Sequence, residues 1–389
     1  MGARKLQQFL SQLGLLTTYH LSVFRHKRLA WDISSWVCAS QTAEVKEIYY
    51  GTKSEDGAFL RSVFHTTMLL SKFGIQVVPV FDGHSKTKLK EKTYSSRKIK
   101  HENAEKKIIT LQGQLENLNN LNHANKMKIE KKIISTKKKC IKPKGQKLHE
   151  LRHFFDAMGI PYIVAEGEAD IQCVDLCVNH ICQGILSTDS DMLIYNYGNS
   201  DNINLITKIN PSEQTCELFN KNEALHVLGL NATKFTYLAV ACGTDYNPPL
   251  IEFGKQTAAI SLLANLVRYF NDLGNIVFMA GKMKCQPKMK INYEQERINE
   301  IIKLYRTAPT QNSTTAFSKY KPKQISFEDQ KKLMEMLLMA GFDLDKTKYV
   351  LDSYIRRTSD KKSEKLEEKP QKTKSTNKII IILNRHNMC

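Results

Sequence analysis

An α/β fold, with a mostly parallel central sheet flanked by helices, is what the sequence predicts, and three observations predict it. Apolar runs of strand length alternate with segments of helical period. Several of those runs end on an acid, at the strand end where parallel sheets open onto a ligand cleft. A stretch of dense positive charge then interrupts the alternation after the second strand, and the pattern turns helical from about Phe235. A basic helical insertion and a C-terminal helical region are therefore expected.

The elements follow in order. Residues 4–15 carry a short helical pattern, and Arg28-Leu-Ala-Trp-Asp32 reads as a strand ending in an acid. Phe59, Leu60, Val63, Phe64, Met68 and Leu69 recur at three- and four-residue steps, which predicts a helix over 58–73. Ile75-Gln-Val-Val-Pro-Val-Phe-Asp82 is a second strand with an acid at its end. Leu148 to Met158 predicts a helix stopped at Gly159. A short strand over 162–165, a helix from about Glu168 to His180 and a strand over 184–186 come next. Later helices include 331–339 and 346–356. Residues 358–378 are Lys, Glu, Ser, Thr and Pro with almost nothing to bury, so a disordered tail is expected.

The chain has 389 residues, 58 Lys and Arg against 39 Asp and Glu, and a formal net charge of +19. Such an excess points to a polyanionic partner, nucleic acid before an anionic membrane surface. No apolar run approaches the roughly 18 residues a spanning helix needs, so no membrane partner is expected. Met1 to Gln8 lacks a signal peptide's apolar stretch, and Leu6 stands where a myristoylation signal wants Ser or Thr. The nine cysteines read as reduced thiols of an intracellular protein. Cys173 and Cys177 lie on an apolar helical stripe with Ile171, Val174 and Val178, which favours buried thiols over a zinc site.

Two tight pairs of carboxylates carry the chemistry. Glu168 and Asp170 open a helix, and Asp189 and Asp191 follow the strand over 184–186. Acids two apart at the mouth of an apolar strand repel each other and lose hydration, and hard divalent ions are the usual remedy. Asp32 and Asp82 fall at equivalent strand ends, so one cleft collects the set. On a strongly basic chain this suggests metal-assisted phosphodiester chemistry. The basic insertion adds to that reading: between Lys86 and Lys147 there are 19 Lys or Arg against five Glu, most of the chain's excess charge. Placed directly after a strand-end acid, it is expected to be a phosphate-gripping element rather than a merely solvated helix pair.

At this point the chain resembles the Rad2-type structure-specific 5′ nucleases, which include the flap endonucleases. The matching features, in the family's order, are Met1-Gly2 with a short helix and Leu-Ala-Trp-Asp32-Ile-Ser, then Val-Pro-Val-Phe-Asp82-Gly83 with a Lys- and Arg-bearing helix. Gly159-Ile-Pro-Tyr162 leads into Glu166-Gly-Glu168-Ala-Asp170 and Ser-Thr-Asp189-Ser-Asp191, and Cys242-Gly-Thr-Asp245-Tyr246 is last. The resemblance implies a PIN-like 5′-nuclease core in which Asp32, Asp82, Glu168, Asp170, Asp189, Asp191 and Asp245 bind two Mg²⁺ ions, with Mn²⁺ substituting. Asp170 stands where the family often has Glu, so its contact is expected to run through water. By the same resemblance Lys90 and Arg97, seven apart on one helical face, act on the scissile phosphate. DNA contacts are expected from Gly2, Lys98, Lys100, Lys137, Lys138, Lys139, Lys142, Lys144, Lys147, Gly254 and Lys255.

The regions this implies are 1–98, N-terminal nuclease; 99–147, the arch-like insertion; 148–250, internal nuclease; 251–357, helical and duplex-binding; and 358–389, a basic tail. The sequence departs from the family in two places. Only Gly254 remains of the usual two-glycine helix-turn-helix, with Glu252 where a glycine is expected. Cys38 replaces a stacking aromatic, and Trp36 is the nearest substitute. No sliding-clamp motif is found. The expected activity is Mg²⁺-dependent cleavage of DNA at 5′ flaps or junctions, in a nucleus or a viral replication compartment. A Holliday-junction resolvase, a host-shutoff-type ribonuclease acting on RNA and an inactive nucleic-acid-binding relative are the alternatives.

Overall fold

The computed structural model describes residues 4–84, 87–117, 123–141, 145–252, 258–282, 290–291, 294–308 and 324–359. Among these, a seven-stranded sheet has the order β1 (Leu16–His20), β7 (Thr215–Asn220), β6 (Asn204–Asn210), β5 (Gly184–Leu186), β2 (Arg28–Asp32), β3 (Gln76–Phe81), β4 (Ile163–Val164). β6, β5, β2, β3 and β4 run parallel, whereas β1 and β7 pair antiparallel at one edge. The mostly parallel α/β architecture is thus present. The antiparallel edge was not foreseen, because Leu16-Thr-Thr-Tyr-His20 alternates too weakly to stand out from the helix before it.

Both faces of the sheet are covered, and the period of two along each strand decides which residue faces which layer. Leu29, Trp31, Val77 and Phe81 face one apolar layer, made with α2 (Ile33–Tyr49), α3 (Glu55–Lys72) and α6 (Gly145–Ala157). Ala30, Val78, Val80 and Ile185 face the other, made with α1 (Arg4–Gln12), α7 (Ala169–Val178), α8 (Lys221–Leu228) and α9 (Ala232–Cys242). α6 stops at Gly159, whose φ of 63° is a left-handed value that glycine adopts without penalty.

α4 (Glu91–Glu116) and α5 (His123–Lys137) pack against each other as a helical pair that bears the basic charge. Ala104, Leu111 and Ile133 are buried between and beneath them, while Ile99 and Ile109 stay exposed. The far end of the chain divides between the two faces. α10 (Ala258–Tyr269), α11 (Leu273–Lys282) and α12 (Gln295–Arg306) join the α7–α9 layer, and a two-residue ribbon pairs β8 (Ile251–Glu252) with β9 (Lys290–Ile291). α13 (Phe327–Met339) and α14 (Leu344–Ser359) return to α3 and α6, where Arg61 Nη1 donates to Ala340 O at 2.8 Å. No described helix is long and apolar enough to cross a membrane.

Candidate active site

Neighbouring parallel strands deliver their acids to one edge of the sheet. Asp32 ends β2 and caps α2, its Oδ1 accepting from Ser35 N at 3.2 Å and its Oδ2 from Ser187 Oγ at 2.9 Å. Asp82 follows β3, and its Oδ1 accepts from Ala169 N at 2.9 Å, which ties that strand end to the start of α7. Gly83 permits the tie. Its amide donates to Gly167 O at 2.7 Å, and a Cβ there would lie 2.0 Å from Ala165 O. Glu168 stands at the N-cap of α7, and Asp170 lies in its first turn, where the helix dipole favours an anion. Asp189 caps the short turn Ser190–Leu193 after β5 and accepts from Asp191 N at 3.0 Å. Asp245 follows α9 and donates its amide to Asp191 Oδ2 at 3.0 Å.

The gathered acids strain one another electrostatically. Burial first, and the neighbouring Asp82 second, push Asp32 from 3.8 up to about 7. Burial pushes Asp170 up to about 6, with Lys90 pulling it down and Glu168 adding to the rise. Burial and then Asp245 raise Asp189.

Two cations answer from the base of α4. Lys90 Nζ bonds Glu168 Oε2 and lies 4.0 Å from Asp170 Oδ2 and 4.6 Å from the centre of the Tyr246 ring. Arg97 Nη2 donates to Asp245 Oδ2 at 2.5 Å. Burial disfavours the Lys90 ammonium, yet Asp170, Tyr246 and Glu168 outweigh it and raise its pKa. Arg97 follows the same pattern, with Asp245 and then Asp189 outweighing burial. Lys90 is not within α4 as expected but at its N-cap, immediately before the first residue of the helix; both cations still reach the acids.

Three buried phenols supply the next layer. Tyr195 OH donates to Asp170 Oδ2 at 3.1 Å, Tyr246 OH to Glu168 Oε2 at 2.8 Å, and Tyr305 OH to Asp191 Oδ2 at 3.3 Å. Their rings meet edge-on around Tyr305, with centroids 5.0 Å to Tyr195 and 5.5 Å to Tyr246. These residues escaped sequence reading. Tyr246 adjoins Asp245 and Tyr195 lies four past Asp191, which are weak signals, whereas Tyr305 has no local signal at all.

The donor set suits hard divalent cations: every acid offers oxygen, like charges are forced together, and Glu168 Oε1 is buried with no hydrogen-bond partner. Among the described residues no three acids converge on one point, and Lys90 and Arg97 lie among them instead.

Of the basic residues expected to touch DNA, Lys98, Lys100, Lys138 and Lys139 are exposed on or beside the helical pair. Lys137 is half-buried, its Nζ 5.8 Å above the Tyr49 ring. Lys147 is a correction: it is only 6% exposed, its Nζ 5.7 Å from the Phe59 ring centre, because α6 turns that position towards the core. Trp36 is another, packed edge-on against Trp31 at 5.8 Å rather than presented to a base. Gly2, Lys142, Lys144, Gly254 and Lys255 lie outside the described residues. The described cysteines are all free, with Cys173 and Cys182 buried.

Comparison with known proteins accords with this geometry. The XPG N-terminal domain family matches residues 1–104, and the XPG I-region family matches residues 159–245, which together bracket all seven acids. A probable RAD2-like endonuclease of Invertebrate iridescent virus 3 is 31% identical over 121 residues, 28% of this chain and 32% of that protein. Flap endonuclease 1-B of Sorghum bicolor is 27% identical over 199 residues, 51% of this chain and 43% of that protein. The chain thus spans less than half the length of either relative. In fold it is similar to the catalytic core of Rad2 solved with a DNA substrate, with a TM-score of 0.59, 18% identity, and coverage of 89% of this chain and 99% of that one. The matched regions, which hold all seven acids and the two cations after β3, belong to the XPG, or Rad2-type, nuclease family.

Proposed function

We propose that the chain is a divalent-metal-dependent nuclease that hydrolyses DNA phosphodiesters at single-strand/double-strand junctions, with 5′ flaps as its preferred substrate. The observation that carries this reading is the reach of Lys90 and Arg97, from the base of a basic helical pair, into a set of carboxylates at the sheet edge. Asp32, Asp82, Glu168, Asp170, Asp189, Asp191 and Asp245 would hold two Mg²⁺ ions, directly or through water. Bound there, the ions supply Lewis-acid charge to the scissile phosphate and to the attacking water. Lys90 and Arg97, released from the carboxylates, present donors to the non-bridging phosphate oxygens as negative charge grows on them. Ser35, Ser187 and the three tyrosines hold the carboxylates in their rotamers. The exposed lysines of α4 and α5 neutralise the phosphates of the single strand.

The test is cleavage of end-labelled DNA by the purified chain with Mg²⁺, Mn²⁺ or EDTA. The substrates are a 5′ flap, a four-way junction, a blunt duplex and a single-stranded RNA. Cutting at the flap base with either metal, abolished by EDTA, is the expected result. Paired nicks in the four-way junction would reassign the substrate, and tight binding without any cleavage would make the chain a binding protein.

A further inference from the structure

Neither matched region extends past residue 245, yet α12 reaches the site from fifty residues further on. Its buried face is built from Ile298, Ile301 and Tyr305, with Arg297 half-buried at the edge of that face. From one end of the helix Arg297 Nη2 donates to two carbonyls of different segments, Leu89 O at 3.1 Å and Tyr246 O at 3.0 Å. Leu89 lies in the short turn Lys88–Lys90 that begins the basic helical pair, and Tyr246 directly follows Asp245. Two turns along, about 12 Å at the α-helical rise, Tyr305 OH donates to Asp191, while its carbonyl accepts from Asn196 N at 2.7 Å.

We propose that α12 is a clasp for the active site, in which Arg297 is a positioning residue that locks the segment carrying Lys90 and Arg97 to the turn carrying Asp245. The inference rests on the nuclease reading for its consequence, but not for the clasp itself.

The physical need is plain from the neighbouring contacts. Lys90 and Arg97 attach to the acids only through ion pairs, which must open if those cations are to serve a phosphate. A fastening that does not use the acids is then what keeps the base of α4 in register with the Asp245 turn. Thr93 Oγ1 also donates to Asp245 O at 2.7 Å, and Leu89 packs against the α7–α9 layer. Lys92 pairs with Glu294 at 3.6 Å, but both side chains are exposed and the pair adds little. A guanidinium suits such a fastening, because it is permanently charged and one nitrogen carries two hydrogens to two acceptors. Charge-assisted bonds to main-chain carbonyls do not depend on the state of the acids, so Arg297 keeps its grip when substrate or metal displaces the side-chain pairs.

The test compares the full chain with Arg297→Ala, Arg297→Lys and, as a control that removes the same charge from an exposed position of the same helix, Arg306→Ala. Two quantities are read: the single-turnover rate on a 5′ flap at saturating protein, and amide hydrogen exchange over residues 88–94 in EDTA. Arg297→Ala is expected to lower the rate about 10- to 100-fold, the usual cost of losing an orienting partner of a site. Its half-saturating protein concentration should change less than about 3-fold, and exchange over 88–94 should quicken about tenfold or more. Arg297→Lys should recover a large part of both, and Arg306→Ala should leave both as in the parent. A parental rate and parental exchange in Arg297→Ala would overturn the clasp. So would a loss confined to the half-saturating concentration, which would make Arg297 a DNA contact. If Arg297→Ala does not fold, Arg297→Gln, which keeps two hydrogens on one nitrogen, replaces it on the same criteria. Should the parent cut nothing, the nuclease reading fails, and the exchange measurement alone decides the clasp.

Discussion

Asp191 is held from two directions, by the amide of Asp245 and by the hydroxyl of Tyr305, and is almost fully buried. A carboxylate so placed has lost its hydration and is oriented before any ligand arrives. Asp191→Ala should therefore lower Mg²⁺-dependent cleavage about 10³-fold or more, several kcal/mol of transition-state stabilisation. Junction binding should stay within a few-fold, because affinity comes from the basic surface; normal cutting by this variant would remove Asp191 from the site. Tyr305→Phe deletes one oxygen and leaves the ring packed on Tyr195 and Tyr246. It should cost about tenfold in single-turnover rate and raise the Mg²⁺ concentration needed for half-maximal rate. An unchanged metal requirement would show that the phenol serves packing alone. Sequence reading picked out the acids because each sits inside a short motif, Asp32 and Asp82 at strand ends, Glu168 and Asp170 at the start of a helix and Asp245 just after one. It missed Tyr305 because a residue that reaches a site from a distant helix leaves no trace in local spacing. Lys147 misled for the converse reason: charge density does not say which face of a helix a lysine occupies.

At the scale of the element, the α4–α5 pair is where charge and position coincide. Lys126, Lys128, Lys131, Lys132, Lys138 and Lys139 are all exposed, whereas Tyr50 OH, at the C-cap of α2, donates to Glu130 at 3.4 Å and Ile133 is fully buried, so α5 is seated with its lysines outward. Each lysine that neutralises a single-strand phosphate contributes about 0.7 to the slope of log affinity against log salt. Replacing those six by Gln should weaken flap binding and flatten that slope by several units. Lys147→Gln, at a buried position, should lower thermal stability and leave the slope alone. Equal slopes for the parent and the six-fold variant would make the pair a bystander to binding. The pair was legible in outline, since a run of basic residues with weak apolar periodicity is hard to mistake. The antiparallel edge was not, because β7 becomes a strand only by pairing with β6 on one side and, on the other, with β1, a partner nearly two hundred residues away.

For the whole molecule, the acid cluster is a cost that the fold carries until a cation offsets it. A carboxyl whose value is higher in the fold than in the unfolded chain keeps its proton where the unfolded chain has released it. Its contribution to stability is then complete below the unfolded value and is lost as pH rises through the folded one. For Asp32 that window runs from 3.8 to about 7. For Asp170 it ends near 6, where Lys90 already relieves part of the burial. In EDTA the protein should therefore melt lower at pH 8 than at pH 5. Asp32 should account for on the order of 2–4 kcal/mol, or about 3–5 °C for a chain of this size. Asp32→Asn should remove that share of the pH dependence and raise the metal-free melting temperature at pH 8. Mg²⁺ should stabilise the parent at pH 8 far more than at pH 5, because protonated carboxyls are poor ligands, and should stabilise the variant less than the parent. Calorimetric melts of the two proteins at both pH values, with Mg²⁺ or EDTA, decide the matter. A pH dependence identical in the parent and Asp32→Asn would mean that the burial of Asp32 is compensated within the protein. A cation would then have no excess charge to offset at that position.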